Sequence, residues 1–144
     1  MQHDKPAADQ SHYLSVLSRA AAPAVKQFAD MLIPQLGAIE VVRNRTGLVM
    51  TPMVDTAEGS SFYLGEVLVA EALVRIGPIE GYGACLGRDL EQAVAIALID
   101  AALVAGIASE QITAFIDTQA RSLEQADQDL LAAVETTRVE METF

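Results

Sequence analysis

The segment Gly81-Tyr82-Gly83-Ala84-Cys85-Leu86-Gly87-Arg88-Asp89 is where residue type and spacing come closest to chemistry. Gly81, Gly83 and Gly87 are spaced like the longer kind of dinucleotide-binding turn, and a helical pattern follows them. Unpaired N–H groups at a helix start favour anions. Such a turn, however, joins the first strand of a βαβ unit to its helix, whereas these glycines fall inside the last strand of a meander. Close strand packing or a bulge is the stronger local reading; a phosphate cradle and a subunit contact are the others. Asp89 in a first helical turn compensates the helix dipole. Arg88 at the same place is locally unfavourable, so a carboxylate, a phosphate or another chain is expected to hold it.

Asp100 lies within Ala97-Leu98-Ile99-Asp100-Ala101-Ala102. A carboxylate buried there needs hydrogen bonds or a cation, and Arg75 and Arg43 on the preceding strands are the candidates. A structural ion pair or a partly exposed helix face is favoured over general acid–base work. Glu66, Glu71 and Glu80 have no spacing that specifies a metal, and His3 and His12 both sit near the N-terminus, so no zinc site is proposed. Ser60 and Ser61 follow Gly59 without the G-x-S-x-G pattern or an internal histidine, which disfavours a self-contained hydrolase. Cys85 is the only cysteine, so no internal disulfide forms.

The elements that must position these residues are read from periodicity. Residues 1–9 are expected to be a flexible arm. Two short helices follow, over His12–Arg19 and Pro23–Leu36, with Pro23 suited to a first turn and Ala24, Phe28, Leu32 and Leu36 along one stripe. Ile39–Asn44 and Gly47–Val54 flank a tight turn near Arg45-Thr46-Gly47 and read as a hairpin. Pro52 belongs at an edge, and Asp55–Ser60 is a polar turn. Ser61–Val69 alternates; Glu71–Ile76 continues it or pairs beyond a bend at Gly65-Glu66. After the turn at Gly77-Pro78, Ile79–Leu86 is the last strand.

Arg88–Ala105 is apolar on most sides, which implies a helix covered by a sheet and by another element, ended by Gly106. Glu110–Phe144 is helical, with a weak seam through Ile112, Ile116, Leu123, Ala126, Leu130, Val134 and Met141 and a break near 125–129 left open. Val139, Met141 and Phe144 keep apolar character at the end, pointing to docking on this domain or on a partner. Strands in the middle with helices at both ends give an α+β fold: an antiparallel sheet of about four strands against a buried central helix, with N-terminal helices and a long C-terminal helical region.

The chain has 144 residues, enough for one domain with a real core. A net charge of -11 argues against binding a phosphate backbone or an anionic membrane. Ala93–Ala108 is too short and carries Asp100, so it reads as a core helix and not a span. Residues 1–11 lack the apolar stretch of a signal peptide, and a cytoplasmic location is expected.

Arg45-Thr46-Gly47-Leu48-Val49, Gly65-Glu66-Val67, Arg75, Gly81-Tyr82, Gly87-Arg88-Asp89, Ala97-Leu98-Ile99-Asp100-Ala101 and Thr137-Arg138-Val139-Glu140, taken as an ordered set, resemble the PhnG family. That family provides a small subunit of the bacterial carbon–phosphorus lyase system. The resemblance makes 10–144 a single PhnG-like domain and implies an interaction subunit, inactive alone. It would work with PhnH-, PhnI- and PhnL-type proteins as a phosphonate displaces adenine from ATP, giving ribose 1-phosphonate 5′-triphosphate. It also implies a core complex with PhnH-, PhnI-, PhnJ- and PhnK-type proteins. No cofactor is expected on this chain alone; ATP with magnesium belongs to the complex. Gly81, Gly83, Gly87, Arg88, Asp89 and Arg138 are the candidates for partner or phosphate contact, and no catalytic residue is assigned. The alternatives are a chain that itself holds ATP or phosphonate in a shared active site, and an unrelated homo-oligomeric small-molecule binder. Exposed apolar patches on such a chain would allow a homodimer when it is isolated, and the sequence leaves that oligomeric state open.

Overall fold

The computed structural model describes residues 7–55 and 60–142, with side chains at 10–50 and 65–136. The order is α1 (Ala7–Arg19), α2 (Ala22–Leu36), β1 (Glu40–Asp55), β2 (Ser60–Ile76), β3 (Ile79–Leu86), α3 (Leu90–Ala105) and α4 (Ser109–Glu142). The α+β class, the N-terminal helices, the central helix and the long C-terminal helix are as expected. The sheet has three strands, not four, in the antiparallel order β1-β2-β3.

The difference has a local cause. Arg45-Thr46-Gly47 does not turn: these residues stay extended opposite Glu71, Ala70 and Val69, so β1 is one long strand. The hairpin closes further on, between Asp55 and Ser60, at the segment read as a polar turn; residues 56–59 lie outside the described residues. β2 runs through Gly65-Glu66 to Ile76, with register shifts at Val41/Arg43 and Thr51/Pro52 absorbing the irregularities. Pro52 sits on the edge strand β1, where its missing donor costs least.

Strand alternation decides the two faces of the sheet. Ala70, Ala72, Val74 and Ile76 of β2 are buried against α3, while Glu71 and Arg75 point the other way and meet charged side chains of the sheet itself. α3 packs on β2 and β3 on one side and on α2 on the other, with α1 and α4 also against it. Buried on nearly every side, it explains its own uniformly apolar sequence. Gly106 ends it in the left-handed conformation (φ 77°), its N–H donating to Leu103 O, while the Ile107 N–H reaches Ala102 O at 2.9 Å.

α1 begins at Ala7, earlier than expected, and residues 1–6 lie outside the described residues. α2 has its proline in the first turn, as expected, but its buried stripe is Val25, Ala29, Leu32 and Leu36. Only the last two were on the expected stripe; Ala24 and Phe28 are half-buried. α4 is continuous through 125–129 over its 34 residues. Phe28 stacks on Phe115 with ring centroids 4.3 Å apart and ties α4 to α2.

Candidate functional site

β3 meets α3 along a line of small residues. A Cβ on Gly81 would overlap the Ala97 carbonyl and the Ala101 Cβ, and one on Gly83 would overlap the Ala93 carbonyl and the Ile96 Cβ. Ala93, Ala97 and Ala101 recur every fourth residue, one face of the helix, and that face lies directly on the strand. Gly81 and Gly83 are therefore packing residues, buried beneath α3 and closed to a phosphate. Gly87 has a separate reason: its φ of +97° turns the chain from β3 to α3, and its N–H donates to Leu68 O at 2.8 Å.

That close approach brings Asp100 to the edge of the sheet. Asp100 is 1% exposed. Its Oδ2 accepts the Tyr82 backbone N–H at 2.9 Å, and its Oδ1 accepts the Tyr13 hydroxyl and, at 3.4 Å, the Gln10 side-chain N–H. One carboxylate thus ties α1, β3 and α3 together with neutral donors. Burial first, and the Asp100 hydrogen bond next, push the Tyr13 phenol above its usual range.

The expected Asp100–Arg75 pair is not formed. Arg75 lies on the opposite face of the sheet, where it meets Glu80 at 2.9 Å and Glu40 at 3.4 Å. Beside it, Arg45 and Arg43 reach the same Glu71 oxygen at 2.7 and 3.3 Å, and the Tyr82 hydroxyl donates to the other at 2.9 Å. The Arg45 hydrogen bond, then that of Tyr82, hold the Glu71 carboxyl below the usual carboxylate range. These charges largely satisfy one another on an open surface.

At the start of α3 the helix begins two residues later than expected. Asp89 is its N-cap, and its Oδ1 accepts the Gln92 N–H at 3.0 Å. Its Oδ2 meets Lys26 of α2 at 2.8 Å. Lys26, and secondarily the Gln92 N–H, lower the Asp89 pKa, while Asp89 raises that of Lys26. Arg88 precedes the helix and is exposed; among the described residues it pairs with no carboxylate. The anion-binding end of α3 is thus occupied by the protein's own carboxylate. Cys85 is buried, its thiol donates toward Asp89 O at 3.6 Å, and burial raises its pKa. This is the environment of an inert thiol. The Arg138 side chain lies outside the described residues.

The structure therefore gathers Gly81 and Gly83 with Asp100, joins Asp89 to Lys26, and leaves Arg88 apart. Gln10, Tyr13 and Lys26 were missed from the sequence. Gln10 and Tyr13 are three apart on one helix, a usable signal only once Asp100 is known to be buried beside them. Among the described residues no cluster of His, Cys, Asp and Glu could hold a metal ion. No helix among them is long and apolar enough to cross a membrane.

Exposed apolar residues lie elsewhere. Leu48, Val49 and Met50 of β1 are 63%, 52% and 49% exposed, and Leu130, Leu131 and Val134 of α4 are 64%, 64% and 55% exposed. A search among curated proteins finds no match. Residues 8–144 match the family model described as phosphonate metabolism protein PhnG, and the chain belongs to that family.

Proposed function

We propose that this chain is an interaction subunit of the phosphonate carbon–phosphorus lyase core complex, supporting a PhnI-type subunit. In the reaction so supported, a phosphonate oxygen forms a bond to the ribose C1′ of ATP. The bond from C1′ to adenine breaks, and adenine leaves with the electron pair and takes up a proton. The product is ribose 1-phosphonate 5′-triphosphate. ATP and magnesium bind at the level of the complex, and PhnH-, PhnJ-, PhnK- and PhnL-type proteins are the further partners.

The observation that carries this reading is the β1–β2 ribbon. Successive strand residues face opposite ways, so the exposed Leu48, Val49 and Met50 make both faces apolar. β3 reaches only as far as Val69, which leaves the ribbon beyond it two-stranded. Two strands alone are marginal in water, and a ribbon apolar on both faces is suited to burial against another chain. Direct substrate holding at Arg88 is the second reading, favoured by that side chain's exposure. Asp89 at the same helix start opposes an anion there.

The test is methylphosphonate-dependent release of adenine from ATP, with ribose 1-methylphosphonate 5′-triphosphate formed alongside, by PhnI-, PhnH- and PhnL-type proteins with and without this chain. The proposal expects release only when this chain is included and none from this chain alone. Full release without it would overturn the proposal.

A further inference from the structure

We infer that α4 beyond Leu123 is a docking helix for a groove on a partner protein, apolar at its floor and lined at its rims by lysine or arginine. The inference rests on the subunit reading above and names the surface and the chemistry of the contact.

Ile112, Ile116, Leu123, Leu130 and Val134 follow one another at steps of four and seven residues, the spacing of a single helix face. That face is buried at Ile112 and Ile116 and half-buried at Leu123, where α4 lies against the rest of the molecule. From Glu124 to Thr136 every residue is exposed; Asp127 interrupts the stripe, four residues after Leu123, and the apolar face resumes at Leu130 and Val134, with Leu131 beside it. Asp127 of this stretch meets Arg19 of α1 at 3.5 Å, but the apolar side chains of Leu130, Leu131 and Val134 stay exposed beyond it, where solvent alone gives no use for them. Past Asp127 the stripe extends beyond the internal contact that α4 makes with α1.

Charge selects the occupant. By helical spacing, Glu124 and Glu135 border the stripe on one side and Asp129 on the other. A second copy of the same stripe would set acidic borders against acidic borders in either direction, in a chain whose net charge is already -11. A groove with basic rims meets both borders favourably, in the manner of an amphipathic helix lying in an apolar cleft.

The experiment uses the full-length chain and the PhnI-type protein of the same organism, with binding followed by surface-immobilised kinetics. The first variant is Leu130→Asp/Val134→Asp. Both positions are exposed, so its circular dichroism and melting should match the parent. The expected loss of affinity is about 30-fold or more, as for anchors at the centre of an interface. The second variant, Glu124→Lys/Glu135→Lys, should slow association about tenfold at low salt, a difference that vanishes at high salt.

Parent-like binding by the first variant, with the parent protein binding well, would overturn the docking helix and leave the subunit reading standing. Absence of binding by the parent protein would overturn the subunit reading and this inference with it. A dimer of the isolated chain that the first variant abolishes would assign the stripe to a second copy and overturn the groove.

Discussion

Asp100 shows what a single buried carboxylate does when its partners are neutral donors. Three donors converge on it, from Tyr13, Gln10 and the Tyr82 backbone. Asp100→Asn keeps the shape but presents an NH2 group where a donor already points. The expected cost is about 2 kcal/mol, read from urea unfolding; an unchanged midpoint would show that the network is not structural. The Lys26–Asp89 pair is tested through pH. Asp89 has a folded pKa below its unfolded one, so its contribution is present above the unfolded value of about 3.9 and is lost as pH falls through the folded one. Lys26 is raised, so the alkaline loss comes only as pH rises through its folded value. Asn caps a helix as well as Asp, which makes Asp89→Asn a probe of the charge alone. The variant should be less stable than the parent at pH 7, and the gap should close in strong acid. Sequence made Asp100 visible as an anomaly in an apolar run. It did not reveal the partner, because Tyr13 lies 87 residues away and only the fold brings it near.

The contact between β3 and α3 is the element that organises the rest. Gly83→Ala should cost about 3 kcal/mol or more, because the new methyl meets the Ala93 backbone, which cannot move without shifting α3. Gly47→Ala is the control: nothing lies within 4 Å of its Cβ position, and the change should be neutral or stabilising by up to about 1 kcal/mol. Equal effects at both positions, measured by chemical denaturation, would contradict the close-packing account. The packing role of Gly81 and Gly83 was legible, since glycine in a strand before an apolar helix points to close approach. The strand count was not. Gly47 carries the composition of a turn, but β1 and β2 alternate in step on either side of it, and pairing over that length overrides the local preference. The α2 stripe was misplaced by one position for a related reason: Ala24 and Phe28 fit the period as well as Val25 and Ala29, and only packing against α3 separates them.

The whole molecule is a helix-covered sheet with two apolar extensions, the β1–β2 ribbon and the far half of α4, on a strongly acidic chain. The acid–base and nucleophile motifs sought in the sequence resolve into structural roles: a buried hub at Asp100, a capped and paired Asp89, an inert Cys85. Membership of the PhnG family was legible from short segments in order, and three of them, Gly81-Tyr82, Gly87-Arg88-Asp89 and Ala97-Leu98-Ile99-Asp100-Ala101, make the contact and the turn between β3 and α3. What the sequence could not reveal is where a partner would sit, because exposed and buried apolar residues look alike until the fold sorts them. The central claim is that the chain works as a subunit. Its most direct test is co-expression with the PhnI-type protein of the same organism, followed by size-exclusion chromatography with mass determination. The account predicts co-elution at a fixed stoichiometry, with a mass equal to a whole-number combination of the two chains. Separate elution of two folded proteins would contradict it.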